Sequence, residues 1–128
     1  MKIPFGALIL LLFINAASAD DRKNDVQRLY QDCKATDHFR ELLCMGFVSG
    51  VGAQMSLTGR LAAAERREGR LSTGASSEFV FSISICTNPS NGAKLQAFNN
   101  WAEKHPEFWG LSQTVGVMVA LREAFPCD

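Results

Sequence analysis

Charge of either sign is not in excess anywhere it would count. Lys and Arg number 13, Asp and Glu also 13, in 128 residues. That balance excludes the basic stripe needed to neutralise nucleic-acid phosphates and a polybasic membrane anchor. No apolar run reaches the ~20 residues that cross a bilayer; the longest, Ile3 to Ile14, is twelve residues long. Chemistry-bearing motifs are equally scarce. There is no Gly-x-Ser-x-Gly, no His-Glu-x-x-His and no phosphate-cradling glycine loop. His38 and His105 are the sole histidines, and neither has a nucleophile at motif-like spacing. The cysteines are separated by 11, 42 and 41 positions, without the clustered pairs of a zinc site. Glu65/Glu68 and Glu103/Glu107 sit at helical spacing beside basic residues and read as solvated surface pairs. The expectation is a protein that is not an enzyme, with no catalytic residues, no metal and no cofactor.

What is present begins with an export signal. Met1-Lys2 carries one positive charge, the twelve-residue apolar run follows, and Ala17 and Ala19 form the Ala-x-Ala pattern before Asp20. This is the layout of a secretory signal peptide, 1–19, cut between Ala19 and Asp20. No second long apolar stretch follows, so the processed chain is expected not to associate with a membrane. Residues 20–128 are the size of one domain, with a core modest enough to profit from covalent staples. In an exported chain the even set Cys33, Cys44, Cys86 and Cys127 reads as two disulfides. Three pairings are open. An antiparallel pair of helices meeting near residue 36 makes Cys33–Cys44 feasible, which leaves Cys86–Cys127 to pin the end of the last helix just before the third.

Periodicity supplies the helices. Val26, Leu29, Tyr30 and Cys33 share one face of a short helix, and Thr36 or Asp37 caps the next. In that second helix Phe39, Leu43, Phe47 and Val51 fall four apart, with Leu42, Cys44, Val48 and Met55 widening the stripe. Gly46, Gly50 and Gly52 interrupt it, which predicts a backbone passing tightly there, or else a bend. The first part of segment 59–78 extends this helix, and the rest reads as an exposed loop rich in small polar residues. Phe79, Phe81, Ile83 and Ile85 alternate with Val80, Ser82 and Ser84, predicting a short extended stretch; a two-turn buried helix is the alternative. A third helix runs to Lys104 and ends at His105-Pro106, and a fourth covers about Leu111 to Ala124. The expected fold is all-α, a small disulfide-stapled bundle of about four helices with a short extended segment near 79–85. Two places stand out for contact with a partner. One is the basic segment with Arg60, Arg66, Arg67 and Arg70; the other is the glycine corner at Phe108 and Trp109.

The string Cys44-Met45-Gly46-Phe47-Val48-Ser49-Gly50 resembles the C-x-G-[FY]-[VI]-x-G helix of the Rap/Tai family of type VI secretion amidase immunity proteins. Cys86-x-x-Pro89, the stretch through Gln96 and Trp101, His105-Pro106-Glu107, Ala120-Leu121 and Phe125-Pro126-Cys127 continue the likeness, from about Leu29 to Cys127. The resemblance implies a helical periplasmic protein, often a homodimer, that blocks a cell-wall amidase effector. A rigid, stapled scaffold suits such obstruction, because it needs a complementary surface and no chemistry of its own. The alternative is a periplasmic binding or chaperone-like stress protein on the same scaffold, favoured by the exposed Phe/Ile segment if that segment is mobile.

Overall fold

The computed structural model describes residues 24–71 and 74–127. The signal-peptide segment and its cleavage residues Ala17, Ala19 and Asp20 lie outside the described residues.

Four of the five α-helices start where a short polar side chain can satisfy a free N–H group. Asp25 accepts from the Arg28 N–H and opens α1 (Val26–Cys33), and Asp37 accepts from the Arg40 N–H and opens α2 (His38–Arg67). Ser90 does the same for α4 (Asn91–Lys104), as does Ser112 for α5 (Gln113–Ala124). The short α3 (Ala75–Ser82) begins at Gly74, whose N–H donates to Ser77 Oγ. The four side-chain caps are worth about 1 kcal/mol each.

The thirty residues of α2 make it long and apolar enough to pass for a membrane span by length and composition alone. Here one of its faces is instead the centre of the core, packed on α1, α3, α4 and α5. Val26 and Leu29 of α1, Cys44, Val48 and Met55 of α2, Phe98 and Trp101 of α4, and Val117, Ala120 and Leu121 of α5 are buried together, with Ile85 from the loop after α3. The start of α1 is sewn to the loop before α5: Val26 N–H donates to Leu111 O, Gln27 N–H to Trp109 O, and Gln113 N–H to Asn24 O. Across the α1–α2 turn, Arg40 Nε donates to Asp32 Oδ1 at 2.7 Å, and Arg28 Nε donates to Asp32 Oδ2 at 3.3 Å.

Two disulfides close the structure, Cys33–Cys44 and Cys86–Cys127, with Cα atoms 5.1 and 4.9 Å apart. The first joins α1 to α2; the second joins the end of α5 to the loop before α4.

Four expectations are corrected. The Phe/Ile alternation is not extended over 79–82: α3 holds those residues in helix, and only Ile83, Ser84 and Ile85 beyond its end lie outside regular structure. α3 lies against α2, and Phe81 meets Arg66 while Phe79 points to solvent. The same helix takes up residues 75–77 of the expected loop, giving five α-helices among the described residues. The inner face of α2 is not the Phe39–Leu43 line, since both side chains are exposed; it runs through Cys44, Val48, Gly52, Met55, Ser56, Gly59 and Ala62. The close approach is not at Gly46 or Gly50, where an added Cβ would meet nothing within 4 Å, but at Gly59, where it would lie 2.3 Å from Ile85 O. At Gly52 the neighbour is the aliphatic stem of the buried Lys94, 2.7 Å from such a Cβ.

Candidate partner-binding surface

The four arginines of the basic segment are positioned by the last two turns of α2, and the structure sends them three ways. Arg70 lies just past the helix end, where Gly69 turns the chain with φ of 71°, in the left-handed region glycine favours. Its Nε donates to Glu65 Oε2 at 2.6 Å and its Nη2 to Glu65 Oε1 at 2.8 Å, and Glu68 contacts its Nη1. This bidentate clasp closes α2 and leaves Arg70 a structural group. The hydrogen bonds and charge of Arg70 hold the Glu65 carboxyl below its ordinary range, and Glu65 in turn raises the Arg70 guanidinium. A depressed carboxyl contributes its stability above the ordinary value and loses it as pH falls through the lowered one. Carbon-detected NMR titration should therefore give Glu65 a midpoint below that of an unpaired Glu, moving back up in Arg70→Ala.

Arg66 turns toward α3. Its guanidinium carbon lies 4.4 Å from the centre of the Phe81 ring, a cation–π contact. It lines an open cleft of about 360 Å³ with Glu78, Ser82 and Arg122. Arg122 Nη1 donates to Ser82 O at 3.0 Å, so both arginines hold the end of α3 in place.

Arg60 and Arg67 remain. Both are exposed, and they flank an open groove of about 500 Å³ that also includes Leu57, Leu61, Ala64 and Cys86. Among the described residues no carboxylate lies within ion-pair distance of either. The two acids of the same helix end, Glu65 and Glu68, are engaged by Arg70. Of the basic segment, this pair is left facing solvent without an ion-pair partner among the described residues, beside exposed leucines.

The Phe108–Trp109 corner is partly exposed and tied to the scaffold through Trp109. Trp109 Nε1 donates to Ala102 O at 2.8 Å and the ring packs near Tyr30, tying α4 to α1. Phe108, 43% exposed, stacks parallel to Trp101 with centroids 6.0 Å apart. Trp109→Phe should cost about 1 kcal/mol of stability, the net value of one hydrogen bond, read as a lower melting temperature. α4 spans ~20 Å between the Cys86 side and this corner, so the two expected contact regions are not brought together.

His105 Nδ1 lies 3.0 Å from Glu107 Oε1. That contact is the main cause holding the Glu107 carboxyl below its ordinary range, helped by a backbone hydrogen bond. His38 lies beside Glu41 on the surface. Among the described residues no group of three or more His, Cys, Asp or Glu is placed to hold a metal ion, and all four cysteines are in disulfides.

The sequence reading missed the outer face of α2, where Phe39, Leu42, Leu43, Leu57 and Leu61 are exposed. The signal was there in outline. The first half of α2 is apolar on nearly every side, more than a one-sided core contact requires.

No curated protein and no solved structure matches the chain. The family model of the Rap1a immunity proteins matches residues 25–127, from the cap of α1 to the second disulfide. With every described helix and both disulfides inside that match, the chain belongs to the Rap1a immunity protein family.

Proposed function

We propose that this protein is exported to the periplasm, where as a homodimer it binds and blocks a peptidoglycan amidase delivered by a type VI secretion system. Membership of the family makes it an immunity protein whose partner is a secreted effector. That match is the observation that carries the reading. The export signal at 1–19 and the two disulfides favour an oxidising compartment. The amidase and the dimer come from the resemblance of the Cys44–Gly50 and Cys86–Cys127 motifs. Blocking an enzyme asks only for a rigid, complementary surface, and the groove flanked by Arg60 and Arg67 supplies one with apolar walls and positive edges.

The chaperone-like alternative asks for a Phe/Ile run that is both exposed and mobile. Ile85 is fully buried and Phe81 lies under Arg66, so Phe79 alone of its aromatic members is well exposed.

The test is inhibition. Purified, oxidised chain added to the amidase secreted by the same cells should abolish its release of stem peptides from purified peptidoglycan at near-equimolar ratio. Undiminished turnover at tenfold excess would reject the reading.

A further inference from the structure

α5 is apolar beyond the side it buries. Val117, Ala120 and Leu121 enter the core, while Val115 and Val119 are 45% and 40% exposed. Beside them the surface is concave. Met118 of α5, Gly50, Val51 and Met55 of α2, and Ile83 after α3 line an open trough of about 460 Å³, within the range of small-molecule sites. Ile83 and Met118 also line the next cleft, of about 190 Å³, which continues past Val115 and Val119 to Ser82 and Arg122. Ser82 and Arg122 in turn line the cleft where Arg66 stands. The three are therefore one path along α5, apolar for most of its length and basic at its end. From Thr114 to Arg122 it follows eight residues of helix, ~12 Å.

The walls select for hydrocarbon. A peptide laid in the trough brings an N–H and a C=O with each residue, and each needs a partner once it is covered. Gln54 and Thr58 are the polar lining groups on the α2 side, and Gln54 Nε2 already donates to Thr58 Oγ1 at 3.2 Å. An acyl chain asks for no such partner. Met55 and Met118 bring flexible thioether side chains that adapt to its shape.

The basic end selects for an anion. Arg122 gives one N–H to Ser82 O at 3.0 Å, and a guanidinium has five to give. Arg66 lies over the Phe81 ring. Among the described residues no carboxylate is within ion-pair distance of either arginine, Glu78 included, although it lines the same cleft. Two cations against one anion leave this end positive.

We propose that the path binds a single-chain anionic amphiphile. An acyl chain of about ten carbons, at ~1.2 Å per bond when extended, fills the trough, and its carboxylate or phosphate rests on Arg66 and Arg122. A guanidinium pairs with either head group through two parallel hydrogen bonds. A fatty acid and a single-chain phospholipid product share this chemistry and differ in the head group. The path has no residue in common with the groove flanked by Arg60 and Arg67, so this binding is separate from the effector reading and does not rest on it.

The experiment is NMR titration of the oxidised, signal-processed chain, labelled at its methionine methyl groups. The probes are dodecanoate, dodecyl phosphate and dodecyltrimethylammonium, each below its micelle-forming concentration. One or both anions should bind at ~10–100 µM and shift the Met55 and Met118 methyl signals. Met45, which lines neither apolar cleft, should stay in place. Dodecanoate acting alone identifies a fatty acid site and dodecyl phosphate acting alone a phospholipid product site, and either result supports the proposal. The cationic probe should bind at least ~10-fold more weakly. Val119→Glu, at an exposed helix position, should keep the circular dichroism of the parent and weaken the anions by at least ~10-fold. Arg122→Gln should reduce the preference for anion over cation. Equal affinity for anionic and cationic probes, or shifts at Met45 in place of Met55 and Met118, would reject the site. No saturable binding at ~1 mM would overturn it, and loss of amidase inhibition in Val119→Glu would then assign the trough to the effector.

Discussion

Replacing both Cys86 and Cys127 by serine is expected to remove about 4 kcal/mol of stability, the loop-closure value for a bridge spanning 41 residues. For a domain of this size that is a fall in melting temperature of roughly 15 °C or more. The bridge carries this weight because it closes the longer of the two loops, 41 residues against 11, with both ends outside regular structure. Residues 84–90 are outside helices, and the chain after Ala124 is irregular. The same substitution at Cys33 and Cys44, with a closed loop of 11 residues, should cost about 3 kcal/mol. Differential scanning calorimetry of the two serine pairs decides the order. A Cys86/Cys127 variant that melts with the parent would show that the packing of α5 on α4 holds the end unaided.

The second large effect is expected at Gly59. Its alanine variant drives a Cβ to 2.3 Å from Ile85 O and 2.9 Å from the carbonyl carbon. Main chain cannot swing aside as a side chain can. Ile85 is fully buried, its N–H faces Met55 O at 3.4 Å, and Cys86 next to it is bridged. Gly59→Ala should therefore cost about 3 kcal/mol, the upper end for overpacking, with the loop after α3 displaced. Gly52→Ala gives the contrast, because the atoms in its way belong to side chains, the Lys94 stem at 2.7 Å and Leu121 Cδ1 at 3.0 Å, and its loss should stay below about 1.5 kcal/mol. At Gly46, where the space is open, alanine should gain about 0.5–1 kcal/mol in the isolated chain through helix propensity alone. Chemical denaturation of the three variants tests the ranking, and a Gly59→Ala as stable as Gly52→Ala would refute the contact.

Local signals were legible where local physics decides. Asp37, one of the two residues expected to cap the second helix, does so, the buried face of α1 follows the 3.6-residue period, and the cysteine pairing follows from which helices are neighbours. The rotation of α2 about its own axis was not legible, because that helix is apolar on two sides. Only the neighbours settle which side goes in: Cys44 is bridged to Cys33, and Gly52 and Gly59 admit Lys94 and Ile85. Of the contact residues, a count of basic side chains gave Arg60, Arg66, Arg67 and Arg70 equal standing. Their partners separate them, since Glu65, Glu68 and Phe81 engage two and leave Arg60 and Arg67 outward.

The two disulfides also fix how the molecule comes apart. One lies wholly within the α1–α2 hairpin, and the other lies wholly after the turn that follows Arg67. A single proteolytic nick between Arg67 and Gly74 therefore yields two fragments with no sulfur link between them. They would run separately on a denaturing gel without reductant, each keeping its own internal loop, and in native buffer only the shared core would hold them together.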